Sequence, residues 1–296
     1  MTATKRVLSL LTIALLVAIT GPARAALVYA TSGTNIASFD NSTPGVVSSV
    51  PVTGLQTGES LVGLDVRPAN QLLYALGSSN RLYTINPTTG VATLVPQGAT
   101  PFTLNGTSFG VDFNPVVDRI RVVSNTGQNI RINPNDATLA GTDTAINGAT
   151  TSVVAAAYTN SFVGAASTTL YAIDAAAGTL VTIGSINGTP NSPNGGVTTL
   201  VGSLGLGTGL DPRIGFDITG LANLAYATIL TGGTDKLYQI NLSTGTATLV
   251  GTVGNGTTVY NGMTFATAVP EPSTYALLAT TAVLFGAVAW RRRQTA

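Results

Sequence analysis

An internal repeat constrains this chain more than any other feature. Leu73-Tyr74-Ala75-Leu76 recurs as Leu170-Tyr171-Ala172-Ile173 and Ala225-Tyr226-Ala227-Thr228, with Val28-Tyr29-Ala30-Thr31 as a fourth copy. Ile120-Arg121-Val122-Val123 fills the remaining slot, with arginine in place of tyrosine. The marker positions 29, 74, 121, 171 and 226 lie 45, 47, 50 and 55 residues apart. A second apolar segment follows each marker, as in Arg81-Leu82-Tyr83-Thr84-Ile85 and Leu237-Tyr238-Gln239-Ile240. A third follows a turn such as Asn86-Pro87-Thr88-Thr89-Gly90 or Asn241-Leu242-Ser243-Thr244-Gly245. A fourth comes first: Gly63-Leu64-Asp65, Gly110-Val111-Asp112 and Gly215-Phe216-Asp217, each Asp nine residues before its marker. Ala157-Tyr158 and Met263-Thr264 fill that slot less faithfully.

Four short, β-branched-rich segments separated by Gly, Pro, Asn and Ser predict a four-stranded meander per unit. Both faces of the segments are apolar or small, as stacked sheets require. The first copy lacks its initial strand, and the last, at Asn261-Gly262-Met263-Thr264-Phe265, consists of that strand alone. Pairing the C-terminal strand with the N-terminal unit closes a ring and removes two free edges. The expectation is an all-β chain, a five-bladed β-propeller over residues 26–268 with about 49 residues per blade. A β-solenoid fits less well, because its repeats are shorter and need no matched half-units at the termini.

Two absences exclude whole classes of chemistry. The sequence has no Cys and no His, so there is no thiol nucleophile, thiolate metal site, Ser-His-Asp triad or imidazole base. Charged residues make up 8% of the chain, and residues 26–268 carry 11 acidic against seven basic groups, a net −4. No basic face for nucleic acid is expected on that domain. Gly106-Thr107-Ser108-Phe109-Gly110 has the outline of a nucleophile elbow but lacks a base and enters a strand. Gly205-Leu206-Gly207-Thr208-Gly209 lacks the third spaced glycine and the helix of a phosphate loop. The pair Asp112 and Asp118 offers two carboxylates close in sequence, though strand geometry should separate them.

The two termini carry transport signals. Lys5 and Arg6, an apolar run to Ile19 and Ala23-Arg24-Ala25 make the three parts of a signal peptide over residues 1–25, with cleavage expected after Ala25 by signal peptidase. At the other end, Val269-Pro270-Glu271-Pro272 precedes an apolar segment over 275–290 and Arg291-Arg292-Arg293. Sixteen helical residues reach about 24 Å, slightly under a ~30 Å hydrocarbon core, with the arginines suited to the cytoplasmic side. These residues resemble the PEP-CTERM sorting signal of Gram-negative bacteria. The resemblance implies transient membrane insertion, processing by an exosortase near Pro270-Glu271-Pro272, then release or surface display in exopolysaccharide and biofilm systems. The central region resembles a bacterial secreted domain-of-unknown-function family with propeller-like repeats, through Gly63-Leu64-Asp65-Val66-Arg67-Pro68, Gly110-Val111-Asp112-Phe113-Asn114-Pro115 and the Leu-Tyr-Thr-Ile-Asn segments. That resemblance supports the fold and supplies no activity.

Two groups of residues are candidate sites within the ring. Asp65, Asp112 and Asp217 are equivalent by repeat and fall on the innermost strand. They would either converge as oxygen ligands for Ca²⁺ or accept backbone N–H bonds from the adjacent blade and tie the ring together. Arg119, Arg121 and Arg131 make the third unit locally basic, which suits either an acidic polysaccharide or local pairing with Asp118. The repeat tyrosines recur too regularly for a unique site and are expected to pack between blades. The expected function is an exported, non-enzymatic binding or structural module of the extracellular matrix, with exopolysaccharide as a partner and loops 184–196 and 202–213 as its variable surface. The alternative is a divalent-cation-dependent propeller enzyme of lactonase or lyase type using the axial carboxylates.

Overall fold

The computed structural model describes residues 25–266. Three antiparallel strands open the chain: β1 (Leu27–Thr31), β2 (Asn35–Asp40) and β3 (Val47–Pro51). The second sheet is a four-stranded meander of β4 (Leu61–Val66), β5 (Leu73–Gly77), β6 (Arg81–Ile85) and β7 (Ala92–Leu94). The third repeats it with β8 (Phe109–Asn114), β9 (Arg119–Ser124), β10 (Asn129–Ile132) and β11 (Leu139–Thr142). The fourth holds β12 (Asn147–Gly148), β13 (Ala155–Tyr158), β14 (Leu170–Asp174), β15 (Thr179–Ile183) and β16 (Val197–Ser203). The fifth comprises β17 (Gly215–Ile218), β18 (Ala225–Thr231), β19 (Thr234–Ile240) and β20 (Ala247–Thr252). The last strand, β21 (Gly262–Phe265), pairs antiparallel with β1, setting Tyr29 opposite Thr264. The first blade is thus built from both ends of the described chain.

The five inner strands surround one axis in the order β21, β4, β8, β13, β17, and β17 packs against β21. Each seam between consecutive blades holds its own apolar core. Phe109, Val111 and Phe113 meet Tyr74, Leu76 and Leu82 between blades two and three. Ile173, Leu180 and Tyr171 meet Phe216, Ile229 and Tyr238 between blades four and five. A strand buried on both faces needs apolar residues at consecutive positions, which is why β5, β13 and β14 are buried along their whole length. Repeat tyrosines do pack between blades: Tyr74 meets Phe113 edge-to-face at 5.3 Å and Tyr226 meets Phe265 at 5.4 Å.

The turn before each outer strand has a side-chain cause. Asn86 Oδ1 accepts the N–H groups of Thr88 and Thr89 at 3.0 and 3.1 Å. Asn241 does the same for Ser243 and Thr244 at 2.8 and 3.2 Å. These Asx-turns end on Gly90 and Gly245 at φ +74° and +81°, a region that disfavours a Cβ. One element departs from the sequence expectation. Residues 147 and 148 add a short parallel strand outside β16, held by the Thr198 hydroxyl donating to the Asn147 carbonyl at 2.6 Å. Two residues show no alternation, so such an edge leaves no pattern to read.

Glycine sets how closely the inner strands approach. A Cβ on Gly110 would lie 2.5 Å from the Ala156 nitrogen, and one on Gly215 would lie 2.8 Å from the Met263 nitrogen. Backbone cannot yield there as a flexible side chain would. Gly110→Ala is therefore expected to destabilise the domain by roughly 1–3 kcal/mol, the usual cost of overpacking. Gly195→Ala, with nothing within 4 Å of the added carbon, should stay within about 0.5 kcal/mol of wild type. Urea denaturation midpoints of the two variants check the contrast.

Candidate functional site: the axial carboxylates and the blade seams

Asp65, Asp112 and Asp217 sit two residues after the inner-strand glycines Gly63, Gly110 and Gly215, and the structure brings all three together at the axis. One oxygen from each lies within 4.8 Å of the others, and the residues are 2–4% exposed. Their hydrogen bonds follow one rule. Asp65 Oδ2 accepts the N–H of Phe113 on the next blade at 2.7 Å, Asp112 Oδ1 accepts that of Tyr158 at 3.1 Å, and Asp217 Oδ2 accepts that of Phe265 at 2.7 Å. Thr264 continues the pattern: its hydroxyl accepts the Val66 N–H at 3.2 Å and donates to Asp65 Oδ1 at 2.7 Å. Asp65 and Asp217 also each accept the N–H of the following residue, at 2.7 and 2.6 Å. Four seams are tied this way. The fifth has Ala157 in the slot, which leaves no acceptor to offer Ile218.

Burial dominates the electrostatics of the cluster. Burial pushes Asp65 well above the usual carboxylate range, and nearby Asp217 adds to it. Burial does the same to Asp112, with Asp65 and Asp217 adding. Burial lifts Asp217 to about 7, against the opposing pull of the Phe265 and Ile218 N–H groups. Chemically, such a cluster can hold protons, hold a hard cation, or accept inter-blade N–H bonds. The last is what its geometry displays.

The three arginines do not form an exposed basic face. Arg121 is 1% exposed. It pairs with Asp143 and donates to Asn129 Oδ1 at 2.7 Å, Asn194 Oδ1 at 2.6 Å and Tyr158 Oη at 3.2 Å. Arg131 grips the same Asp143 with two bonds of 2.8 Å. Despite partial desolvation, these guanidiniums hold the Asp143 carboxyl below its ordinary range. Arg119 is partly exposed and donates to the Asp118 carbonyl at 2.8 Å. Asp118 itself pairs with Arg67 across the seam between blades two and three. The Asp118 carboxylate is thus taken by Arg67 of the neighbouring blade and not, as expected, by the local arginines, and Arg121 is a seam residue joining blades three and four.

Other functional positions were not evident from the sequence. Glu59, buried, accepts from the Tyr83 hydroxyl at 2.6 Å and the Ser79 N–H at 3.1 Å. Asp235, fully buried on β19, accepts the Tyr260 N–H at 3.0 Å, and burial lifts it to about 7. Neither recurs in the repeat, so spacing gave no signal. Ala25 is the first described residue and is exposed. The rest of the expected signal peptide, the segment 275–290 and Pro270, Glu271, Pro272, Arg291, Arg292 and Arg293 lie outside the described residues. Among the described residues no helix is long and apolar enough to cross a membrane.

A ring of five sheets, each built on an antiparallel meander around a carboxylate-tied axis, defines the class as a β-propeller. The chain belongs to the family described as domain of unknown function DUF4394, which matches residues 35–262. Residues 268–293 match the PEP-CTERM protein-sorting motif, which marks an exported, exosortase-processed protein of Gram-negative bacteria, held transiently in the membrane before processing. No curated protein matches the chain. It is similar in shape to a solved protein of unknown function from Bacteroides thetaiotaomicron, at 14% identity and TM-score 0.46, covering 84% of this chain and 68% of that one. PorZ, a surface component of the type-IX secretion system of Porphyromonas gingivalis, is similar at 14% identity and TM-score 0.39, covering 79% and 29%. The dihydro-heme d1 dehydrogenase NirN is similar at 12% identity and TM-score 0.35, covering 76% and 43%. No functional reading is taken from these three.

Two predictions follow from the geometry. A carboxyl whose folded pKa is raised binds its proton more tightly folded than unfolded, so it favours folding in acid and loses that contribution as pH rises towards the folded value. Asp217 and Asp235 place this loss between about pH 4, the ordinary carboxylate value, and about pH 7, with Asp65 and Asp112 adding in the same direction. The urea midpoint should be higher at pH 5 than at pH 8, and Asp217→Asn should flatten the difference. Removing one partner of a buried pair costs roughly 3–5 kcal/mol. Arg121→Met should therefore lower the melting temperature strongly, whereas Arg119→Ala should leave it nearly unchanged.

Proposed function

We propose that this protein is a non-catalytic, surface-exported propeller that serves as a rigid binding or structural module of the extracellular matrix. The observation that carries this reading is the use of the axial carboxylates. Each accepts a backbone N–H from the neighbouring blade, and at 2–4% exposure they leave a substrate no route to them. The absence of His and Cys from the sequence removes the commonest bases and nucleophiles. Export and processing by an exosortase, after signal peptidase, would deliver the ring beyond the inner membrane, where exopolysaccharide is the natural partner. The loops over 184–196 and 204–214, the second starting only where β16 ends, supply the irregular surface, and a tied ring holds them in fixed positions. Inter-blade contacts at the seams, Arg67 with Asp118 and Arg121 with Tyr158 and Asn194, add to that rigidity.

The convergence of three carboxylates within 4.8 Å supports a second reading, in which Asp65, Asp112 and Asp217 hold Ca²⁺. With the cluster this buried, such an ion would brace the ring rather than meet a substrate. A thermal melt of wild type and Asp65→Asn, each with and without calcium, separates the two. The module reading expects a lowered melting temperature in the variant and no calcium effect on either protein. A several-degree calcium shift in wild type alone would establish the cation reading. For the export step, replacing Pro270, Glu271 and Pro272 by alanine should leave a chain that retains its C-terminal segment in the membrane fraction. Normal release of that variant to the cell exterior would contradict processing at this motif.

A further inference from the structure

The seam between blades one and two breaks the packing rule of the other seams. The repeat tyrosine normally meets a bulky side chain from the next blade. Tyr74 meets Phe113, Tyr226 meets Phe265, and in the odd unit Arg121 meets Tyr158. Tyr171 faces the Ile218 blade in a core capped by Leu204, Leu206 and Leu210. Beside Tyr29 the corresponding residue is Val66, the smallest of the set, and a groove of about 780 Å³ opens there. That volume lies within the ~300–1,000 Å³ range of small-molecule sites.

The lining of the groove narrows what it could take. Its floor is apolar, with Val66, Leu73 and Ile85 each no more than 5% exposed, while Leu72 and Val91 beside them are about half exposed. Its rim carries amides and hydroxyls from Gln71, Asn86, Thr88 and Thr89. Among the described residues no Asp, Glu, Lys or Arg borders it. Among the described residues no protein group hydrogen-bonds the half-buried Tyr29 hydroxyl, a condition it shares with Tyr171 and Tyr226 but not with Tyr74, so it is open to a ligand at the groove. A charged ligand would be desolvated there without a partner. A ligand with a C–H face for the floor and tyrosine, and a hydroxyl perimeter for the rim, fits.

We propose that this groove binds a neutral glycan, with Tyr29 as the platform under one sugar ring and the Asn86–Thr89 turn as the polar rim. The proposal rests on the binding-module reading and names its ligand class. It differs from an acidic polysaccharide held by arginines, since Arg121 is buried and Arg131 is committed to Asp143.

The test is calorimetric titration of the full chain, purified in a zwitterionic detergent, with neutral hexaoses of glucan, mannan and galactan and with hexagalacturonate. At least one neutral hexaose should bind and the uronate should bind at least tenfold more weakly. Tyr29→Phe, which keeps the ring, should stay within threefold of wild type, and Tyr29→Ala should lose about tenfold or more. Leu72→Asp changes a half-exposed residue, so it leaves the fold in place and introduces a charge. It should lose a similar factor with an unchanged melting temperature. The proposal is overturned by no binding of any neutral hexaose, by tighter binding of the uronate, or by hexaose affinity indifferent to Leu72→Asp. Binding only of an uncharged Ser/Thr/Phe peptide would also overturn it. Sugar binding that ignores the groove variants would sink this site and leave the module reading standing, whereas a chain that is never exported would sink the module reading itself.

Discussion

The structure depends on one hydrogen bond repeated around an axis. A side-chain oxygen on the inner strand of one blade accepts the N–H of the next blade, two residues after a glycine that lets the strands approach. Inner strands converging on a narrow axis present N–H groups to which no neighbouring strand is hydrogen-bonded, and a buried N–H without a partner costs about 1–3 kcal/mol. An aspartate at that position meets the need and also ties two sheets across a seam that is otherwise packed mainly by apolar side chains. The cost is three buried carboxylates close to one another, and the raised proton affinity follows from that burial and mutual repulsion. Stability in mild acid and rigidity at neutral pH thus share one origin.

Because the ring is closed by β21 beside β1, the last strand is also a component of the first blade and of the axis. Phe265 donates to Asp217 and packs on Tyr226, and Thr264 supplies the acceptor for Val66. The sorting motif begins only a few residues later. The groove at Tyr29 reaches Ala266, so a ligand there would sit next to the point where the ring ends. Departures from the repeat are informative in this setting, since Val66 and Ala157 mark the two places where the seam rule is relaxed.

The repeat spacing made the blades, their order and the closing half-units legible before any coordinates, because buried strands at fixed intervals admit few closures. The equivalence of Asp65, Asp112 and Asp217 was equally legible, together with both of their roles, metal ligation and seam tying. Seeing the seam-tying bonds required the identity of the donors, and Phe113, Tyr158 and Phe265 offer main-chain N–H groups that sequence cannot mark. Arg121 was recognisable as the odd member but was open to the opposite reading. Its partner Asp143 lies 22 residues away, just past β11, where the equivalent residues Val95 and Val253 are apolar, and Asn194 belongs to another blade's loop. Tyr29 was hidden by its own regularity, since only the smaller residue facing it, Val66, sets it apart.

The most direct test of the seam-tying account is native-state hydrogen exchange at the amides of Val66, Phe113, Tyr158 and Phe265. If side-chain oxygens on neighbouring blades hold these protons, all four should exchange only through global unfolding, and Asp65→Ala should release Phe113 first while Phe265 stays protected. Rapid exchange of the four in wild type, or unchanged Phe113 protection in Asp65→Ala, would show that the axis is held by something other than these carboxylates.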